Sequence, residues 1–308
     1  MSDVPAYHEP VLINVVLEYL VTDAGAVYVD ATVGGGGHAG GICRLLENTG
    51  RLICFDADEE ALSHARRHLE QFARRTEFVH ANFAQLRDEL DARGVEGIGG
   101  ILFDLGVSSH QLDEPARGFS FRSDAPLDMR MDRQRGKTAS DVVNTMDEQT
   151  LANILWRYGE ERRSRRIAKS MVAARPIEST GQLKRIVESV IAPKHSVKSL
   201  ARVFQALRIE VNDELRSLEI ALRACVELLR IGGRIVVLSY HSLEDRIVKE
   251  FFKTESATSV RSAHKYAPDK EIVPRVRLLT RKPIVASDEE VERNPRARSA
   301  KLRVAERI

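Results

Sequence analysis

The first hundred residues alternate short apolar runs with longer amphipathic stretches. A helix is predicted over 8–21 (HEPVLINVVLEYLV), after Pro10, followed by a strand over Val27–Thr32 and a glycine turn over Val33–Gly37. A helix over about His38–Asn48 precedes a buried strand at Arg51–Phe55. The segment Glu59–Phe72 carries Leu62, Ala65 and Leu69 on one helical face, Glu77–His80 reads as a strand, and Gln85–Ala92 as a helix. Gly99–Leu105 (GGILFDL) is a fourth strand with Asp104 at its carboxyl end. Strands and helices alternating at this length predict a parallel, doubly wound sheet, with ligands at the carboxyl ends of its strands.

The rhythm then changes. Between Ser109 and about Val211 the apolar positions follow helical spacing only: Leu151, Ile154, Leu155 and Tyr158; Leu183, Ile186, Val187, Val190 and Ile191; Leu200, Val203, Phe204 and Leu207. Pro176 and Pro193 separate these helices. Afterwards Asn212 is expected to cap a helix bearing Leu215, Leu218, Leu222, Cys225 and Leu229, closed by Gly232-Gly233. A strand follows at Arg234–Ser239, then a helix that Ser242 and Asp245 can start in the manner of a capping box, then strands at Val276–Thr280 and Lys301–Ala305. The expectation is one seven-stranded α/β domain formed by 1–108 and 212–308, interrupted by a helical insert over 109–211.

Composition narrows the class without identifying it. The chain has 308 residues, 43% hydrophobic and 30% charged, as expected of a soluble globular protein. No apolar run approaches the roughly 18 residues of a membrane span, and the first ten residues lack the core of a signal peptide. Cys43, Cys54 and Cys225 lack CxxC spacing, which points to buried thiols rather than a metal site, and a cytoplasmic protein is expected. The net charge of +2 conceals a block from Arg130 to Arg202 with 16 Lys and Arg against 8 Asp and Glu. Such a block suits either a polyanionic partner or a solvated helical surface.

The candidate chemistry centres on DATVGGGGH, Asp30–His38. A strand, a glycine turn and a helix N-terminus form the opening of a nucleotide-binding βαβ unit. Gly34-x-Gly36-x-x-Ala39 also fits a dinucleotide fingerprint. Asp30 favours another ligand: an acid before the turn repels a pyrophosphate but suits S-adenosylmethionine, which carries a sulfonium and an ammonium. Asp56, 20 residues after Gly36, has the spacing of a carboxylate that accepts both ribose hydroxyls. Phe83 can pack against adenine, and Asp104 can accept from the adenine amine, the methionine amine or the substrate. A nicotinamide dehydrogenase and a noncatalytic assembly factor are the alternative classes at this point.

Longer motifs resemble one family. HEPVL (His8–Leu12), DATVGGGGH, ILFDLGVSSHQLD (Ile101–Asp113), RGFSFRSDAPLDMRMD (Arg117–Asp132), YGEE (Tyr158–Glu161), FQALRIEVNDEL (Phe204–Leu215), SYHSLEDRIVK (Ser239–Lys249) and NPRARS (Asn294–Ser299) follow the order seen in the MraW family of small-subunit ribosomal RNA methyltransferases. Tyr240, Ala125 and His110 stand where that family commonly has phenylalanine, glycine and proline. The resemblance implies a class I methyltransferase fold, Rossmann-like, with an all-helical insert. It implies methyl transfer from S-adenosylmethionine to the exocyclic N4 of one cytidine of 16S ribosomal RNA at the decoding centre, with the assembled small subunit favoured over naked RNA as substrate. Cofactor positions carry over onto Gly36, Gly37, His38, Asp56, Phe83, Asp104 and Gln111.

The Asn/Asp-Pro-Pro-aromatic motif of many amino-methyltransferases is replaced here by DLGVSS, Asp104–Ser109, so no catalytic base stands out; Asp104 is the candidate by its place. Ser239, Tyr240 and His241 are candidates to border the cytosine, and Arg130 with Arg162, Arg163, Arg165 and Arg166 to contact phosphates. Salt bridging of those arginines to Glu160 and Glu161 is the competing reading.

Overall fold

The computed structural model describes residues 10–260 and 270–308. His8 and Glu9 of the HEPVL motif lie outside the described residues. The chain divides into two units, Met1–Gly106 with Leu215–Ile308, and Val107–Glu214.

The first unit is a seven-stranded sheet. Its strands are β1 (Val27–Asp30), β2 (Arg51–Asp56), β3 (Thr76–His80), β4 (Ile98–Asp104), β5 (Leu229–Ser239), β8 (Val276–Leu278) and β9 (Lys301–Arg307). A separate two-stranded ribbon joins β6 (Ser259–Val260) to β7 (Lys270–Glu271). The order is β3-β2-β1-β4-β5-β9-β8. The first five strands are parallel, but β9 runs antiparallel to β5, and β8 antiparallel to β9, so the sheet is mixed rather than wholly parallel. Strand order reverses between β1 and β4, where a ligand crevice is expected.

Period-two alternation sorts the strand side chains onto two faces. Val29, Ile53, Phe55, Ile101, Phe103, Ile235 and Val237 enter one core. There they meet α4 (Leu86–Asp91), α11 (Glu214–Leu228) and α12 (Ser242–Glu255) through Leu86, Leu90, Leu218, Leu222, Val248 and Phe252. Tyr28, Leu52, Cys54, Leu102, Val236 and Leu238 enter the other, against α1 (Ile13–Leu20), α2 (Gly37–Leu45) and α3 (Glu59–His68). Each fully buried aliphatic or aromatic side chain contributes about 1.5–3 kcal/mol.

The second unit contains α5 (Ser109–Asp113), α6 (Ala139–Thr145), α7 (Glu148–Gly159), α8 (Ser164–Ala173), α9 (Thr180–Val190) and α10 (Pro193–Asn212). The apolar stripes of α6 to α10 form one core, including Val143, Leu151, Leu155, Ile167, Leu183, Val187, Val203 and Leu207. Thr138, Asp147 and Ser179 cap α6, α7 and α9 with side-chain oxygens, and Pro193 occupies the first turn of α10. Near the C-terminus of the first unit lies α13 (Asp288–Arg293). No helix among the described residues is long and apolar enough to cross a membrane.

Three local expectations are corrected. Asn212 does not start the next helix. It ends α10, where its amide donates to the Met129 and Arg208 carbonyls and its oxygen accepts the Met131 N–H, pinning the 129–131 loop. Gly232 and Gly233 lie inside β5, because the strand already starts with Leu229 paired to Ile98, and a register shift before Gly100 absorbs the irregularity. The cap of α12 is His241 rather than Ser242: Nδ1 accepts the Glu244 N–H, and the Glu244 carboxylate accepts the His241 N–H. Asp245 is instead engaged by Lys301 and Arg303, at 3.1 and 2.7 Å.

Candidate functional site

The crevice at the strand switch is built around the glycine turn. Gly34 and Gly36 both take positive φ, +50° and +85°, which side-chain-bearing residues rarely adopt. Gly37 answers to a different constraint: a Cβ there would lie 2.5 Å from the Pro10 ring. Helix α2 begins at Gly37, so the N–H groups of Gly37 and His38 point out of its first turn without carbonyl partners within the helix.

Three carboxylates sit at strand ends. Asp56 ties β2 to the turn: Oδ2 accepts the Gly34 N–H at 2.9 Å and Oδ1 accepts the Asp58 N–H at 2.9 Å. The cap of α3 is Asp58, which leaves Asp56 for the crevice. Burial pushes the Asp56 carboxyl up to about 6, against the pull of those two N–H groups. Asp30 is buried beneath the turn, accepts the Thr32 N–H at 3.2 Å, and is pushed by burial up to about 7, although His38 pulls it down. It acts as a turn cap and as a buried charge together. Asp104 donates its own N–H to Thr32 Oγ1 at 2.7 Å, and its carboxylate remains about a quarter exposed.

His38 and Tyr240 hold that carboxylate from its two oxygens. Tyr240 donates its hydroxyl to Oδ1 at 2.7 Å, and burial followed by the charge of Asp104 holds the phenol well above its usual pKa. His38 Nδ1 faces Oδ2 at 3.4 Å, while Nε2 lies 3.0 Å from the Val11 carbonyl oxygen. A carbonyl only accepts, so Nε2 carries a proton, and Nδ1 is the atom turned towards Asp104. Burial disfavours a charged ring, yet the hydrogen bond and charge of Asp104 outweigh it and raise the His38 pKa. The side chain of His38 is thereby spent within the protein, and what it can offer a ligand is its backbone N–H.

The described crevice thus gathers three acids around one histidine. This donor set fits a cationic ligand bearing hydroxyls and amines, such as S-adenosylmethionine, and disfavours a pyrophosphate. Asp56 would hold the ribose and Asp104 an amine. Phe83 follows β3 in a short 3₁₀ turn and packs edge-to-face on Phe103 at 5.7 Å, half-buried and able to flank an adenine.

The other expected residues are placed differently. Ser239 is 2% exposed and turns its hydroxyl to the Lys301 carbonyl, so it is not presented to a substrate. His241 is committed to capping α12 and lies 3.2 Å from Glu244 Oε1. Gln111 belongs to the second unit, where its Oε1 accepts the Ser108 N–H in the capping box of α5. Arg130 places its fork on Asp128, at 2.8 and 3.0 Å. The alternative pairing of the basic segment is not seen: Glu161 is 2% exposed and accepts the Arg163 N–H, and Arg162, Arg165 and Arg166 have no ion-pair partner among the described residues. Sequence reasoning missed Thr32 and the Val11 carbonyl. A backbone acceptor leaves no trace in residue type.

The chain is 49% identical to a ribosomal RNA small subunit methyltransferase H of Geotalea uraniireducens, over the full length of both. It is 48% identical to the protein of that name from Carboxydothermus hydrogenoformans, covering 98% of each chain. Among solved structures, an rRNA methylase from Streptococcus thermophilus overlaps with a TM-score of 0.41 at 13% identity, covering 96% of this chain and 93% of that one. The MraW methylase family model matches residues 5–308, and the chain belongs to that family of methylases.

Proposed function

We propose that this protein transfers the methyl group of S-adenosylmethionine to the exocyclic N4 of one cytidine in 16S ribosomal RNA, at the decoding centre of the small subunit, in the cytoplasm. The observation that carries the reading is the Asp104 carboxylate, fixed between His38 and Tyr240 at the end of β4 beside the glycine turn. The relatives' name, small-subunit ribosomal RNA methyltransferase, supports the substrate class.

When bound, the cofactor supplies an electrophilic methyl on a sulfonium. Cytosine N4 is a weak nucleophile because its lone pair is delocalised into the ring. An N–H acceptor that favours a pyramidal nitrogen, with N4 held behind the methyl, is what the protein must provide. Orientation of this kind is worth about 7–11 kcal/mol in favourable cases. Asp104 uses one oxygen for Tyr240 and the other for His38, and each keeps a lone pair open towards a donor. Its fixed position suits an amine or amino N–H, with Asp56 holding the ribose. The insert supplies the RNA contacts through its unpaired arginines on and before α8.

Incubating the protein with tritium-labelled S-adenosylmethionine and undermethylated small subunits, followed by mapping of the labelled base, tests the reading. Label on a single N4-methylated cytidine is expected. Label on another base or at a ring carbon, or no transfer to either subunits or naked RNA, would reject it.

A further inference from the structure

The second unit exposes the chain's one tryptophan, Trp156, which is 57% accessible on the outer face of α7. Its surroundings are distinctive. The chain folds back directly after it: the Glu160 N–H bonds to the Trp156 carbonyl and the Glu161 N–H to the Leu155 carbonyl, both at 3.1 Å. Glu160 closes the helix in a left-handed conformation, φ +50°. After this reversal Arg162 is exposed, and α8, which packs against α7, presents Arg165, Arg166 and Lys169 to solvent. None of these four cations has an ion-pair partner among the described residues. Arg157, next to the indole, lies over the Tyr158 ring at 6.0 Å.

A large exposed aromatic costs a protein solubility and does nothing for its own core. Unpaired cations beside it repel one another. Both features are accounted for by a partner that is polyanionic and carries flat apolar rings. Single-stranded nucleic acid has both properties, and proteins that bind it combine a basic track with an aromatic stacking surface.

We propose that Trp156 is a stacking platform for an unpaired base of the RNA substrate, with Arg162, Arg165, Arg166 and Lys169 holding the flanking phosphates. The proposal rests on the reading of the insert as the RNA-binding part and adds the chemistry by which it binds: an unstacked base rather than a duplex backbone.

Because Trp156 is the only tryptophan, its emission reports the contact directly. The test titrates the full-length protein with a single-stranded twelve-nucleotide RNA, an abasic oligomer of the same length and charge, and a blunt RNA duplex. The single strand is expected to quench the emission. The abasic oligomer and the duplex are expected to bind through phosphates without quenching. Trp156→Ala should weaken single-strand binding by about 5- to 150-fold, and Trp156→Phe by less, since a ring remains. Single-strand binding with unchanged emission and unchanged affinity in Trp156→Ala would overturn the stacking contact while leaving the insert's RNA role intact. Failure of all three nucleic acids to bind would overturn both. An emission shift that follows protein concentration without RNA would make the surface a contact between copies of the chain, and also overturn the proposal.

Discussion

The glycine turn and the α7–α8 corner treat charge in opposite ways. At the turn, Asp30, Asp56, Asp104 and His38 are at least partly withdrawn from water, each bonded to a named partner, and burial raises the two acids that shift most. In the insert, Glu210 is raised by burial, but four aspartates are held down. Side-chain hydrogen bonding to Ser179 lowers Asp124, and Asp141 and Asp147 are lowered by the threonines they cap with. Asp128 resists burial through Arg130. Arg162, Arg165, Arg166 and Lys169 of the insert are exposed and have no ion-pair partner among the described residues. A site that fixes a small ligand needs few charges in set geometry, and a surface that grips a polyanion needs many charges in loose geometry.

The sharpest way to break this contrast is pH. A buried acid with a raised pKa binds more protons folded than unfolded between its ordinary value and its folded one. Asp30 and Asp56 should therefore make folding less favourable as pH rises from about 4 towards about 7. For Asp30 the effect is on the order of 4 kcal/mol, from about 1.4 kcal/mol per unit. Asp30→Asn should flatten this slope in urea denaturation across that range; an unchanged slope would place its source elsewhere. The lowered acids of the insert work in the other direction, so stability they confer is lost only as pH falls below about 4.

His38→Ala removes one of the two groups that hold the partly exposed Asp104 carboxylate and should destabilise the fold by about 1.5–3 kcal/mol, read as a lower denaturant midpoint. The expected losses for the two ligands are then complementary. Asp56→Ala should cost about 1.5–3 kcal/mol of cofactor binding by calorimetry, the worth of a hydrogen bond to a charged group, and leave RNA affinity alone. Replacing Arg162, Arg163, Arg165 and Arg166 by Glu should weaken RNA binding and flatten its salt dependence by about 0.7 per lost phosphate contact, with cofactor affinity unchanged. If either variant impaired both ligands equally, the division of labour between the two regions would fall. The smallest effect is expected from Tyr240→Phe, about 1 kcal/mol, expressed in KM for the cofactor more than in kcat, since the ring stays and only the hydroxyl to Asp104 goes.

Much of this was legible in the residues. Alternating apolar runs give the strands, because a doubly covered sheet requires them, and the three helical stripes of the insert fall on α7, α9 and α10. Asp30, Asp56 and Asp104 could be placed at strand ends because each closes an apolar run. Less visible was what depends on distant partners. The role of Asn212 comes from a loop some eighty residues earlier, and Ser239 turns to a strand sixty residues later. The direction of β9 cannot be read from its apolar pattern, since alternation is the same whichever way a strand runs. His38 was marked by its motif, but the proton on its Nε2 follows from the carbonyl of Val11, which any residue at that position would supply.

The pairing of β4 with β5 spans about 125 residues, from Asp104 to Leu229, most of them the insert. Closing a loop that long is entropically little worse than closing one half its length, by about 0.6 kcal/mol. The insert also has its own apolar core and its own helix caps. Selection can therefore lengthen, shorten or exchange the insert with little penalty to the sheet. The point between β4 and α11 is where this architecture tolerates change in length, and where a graft of different binding specificity would be made.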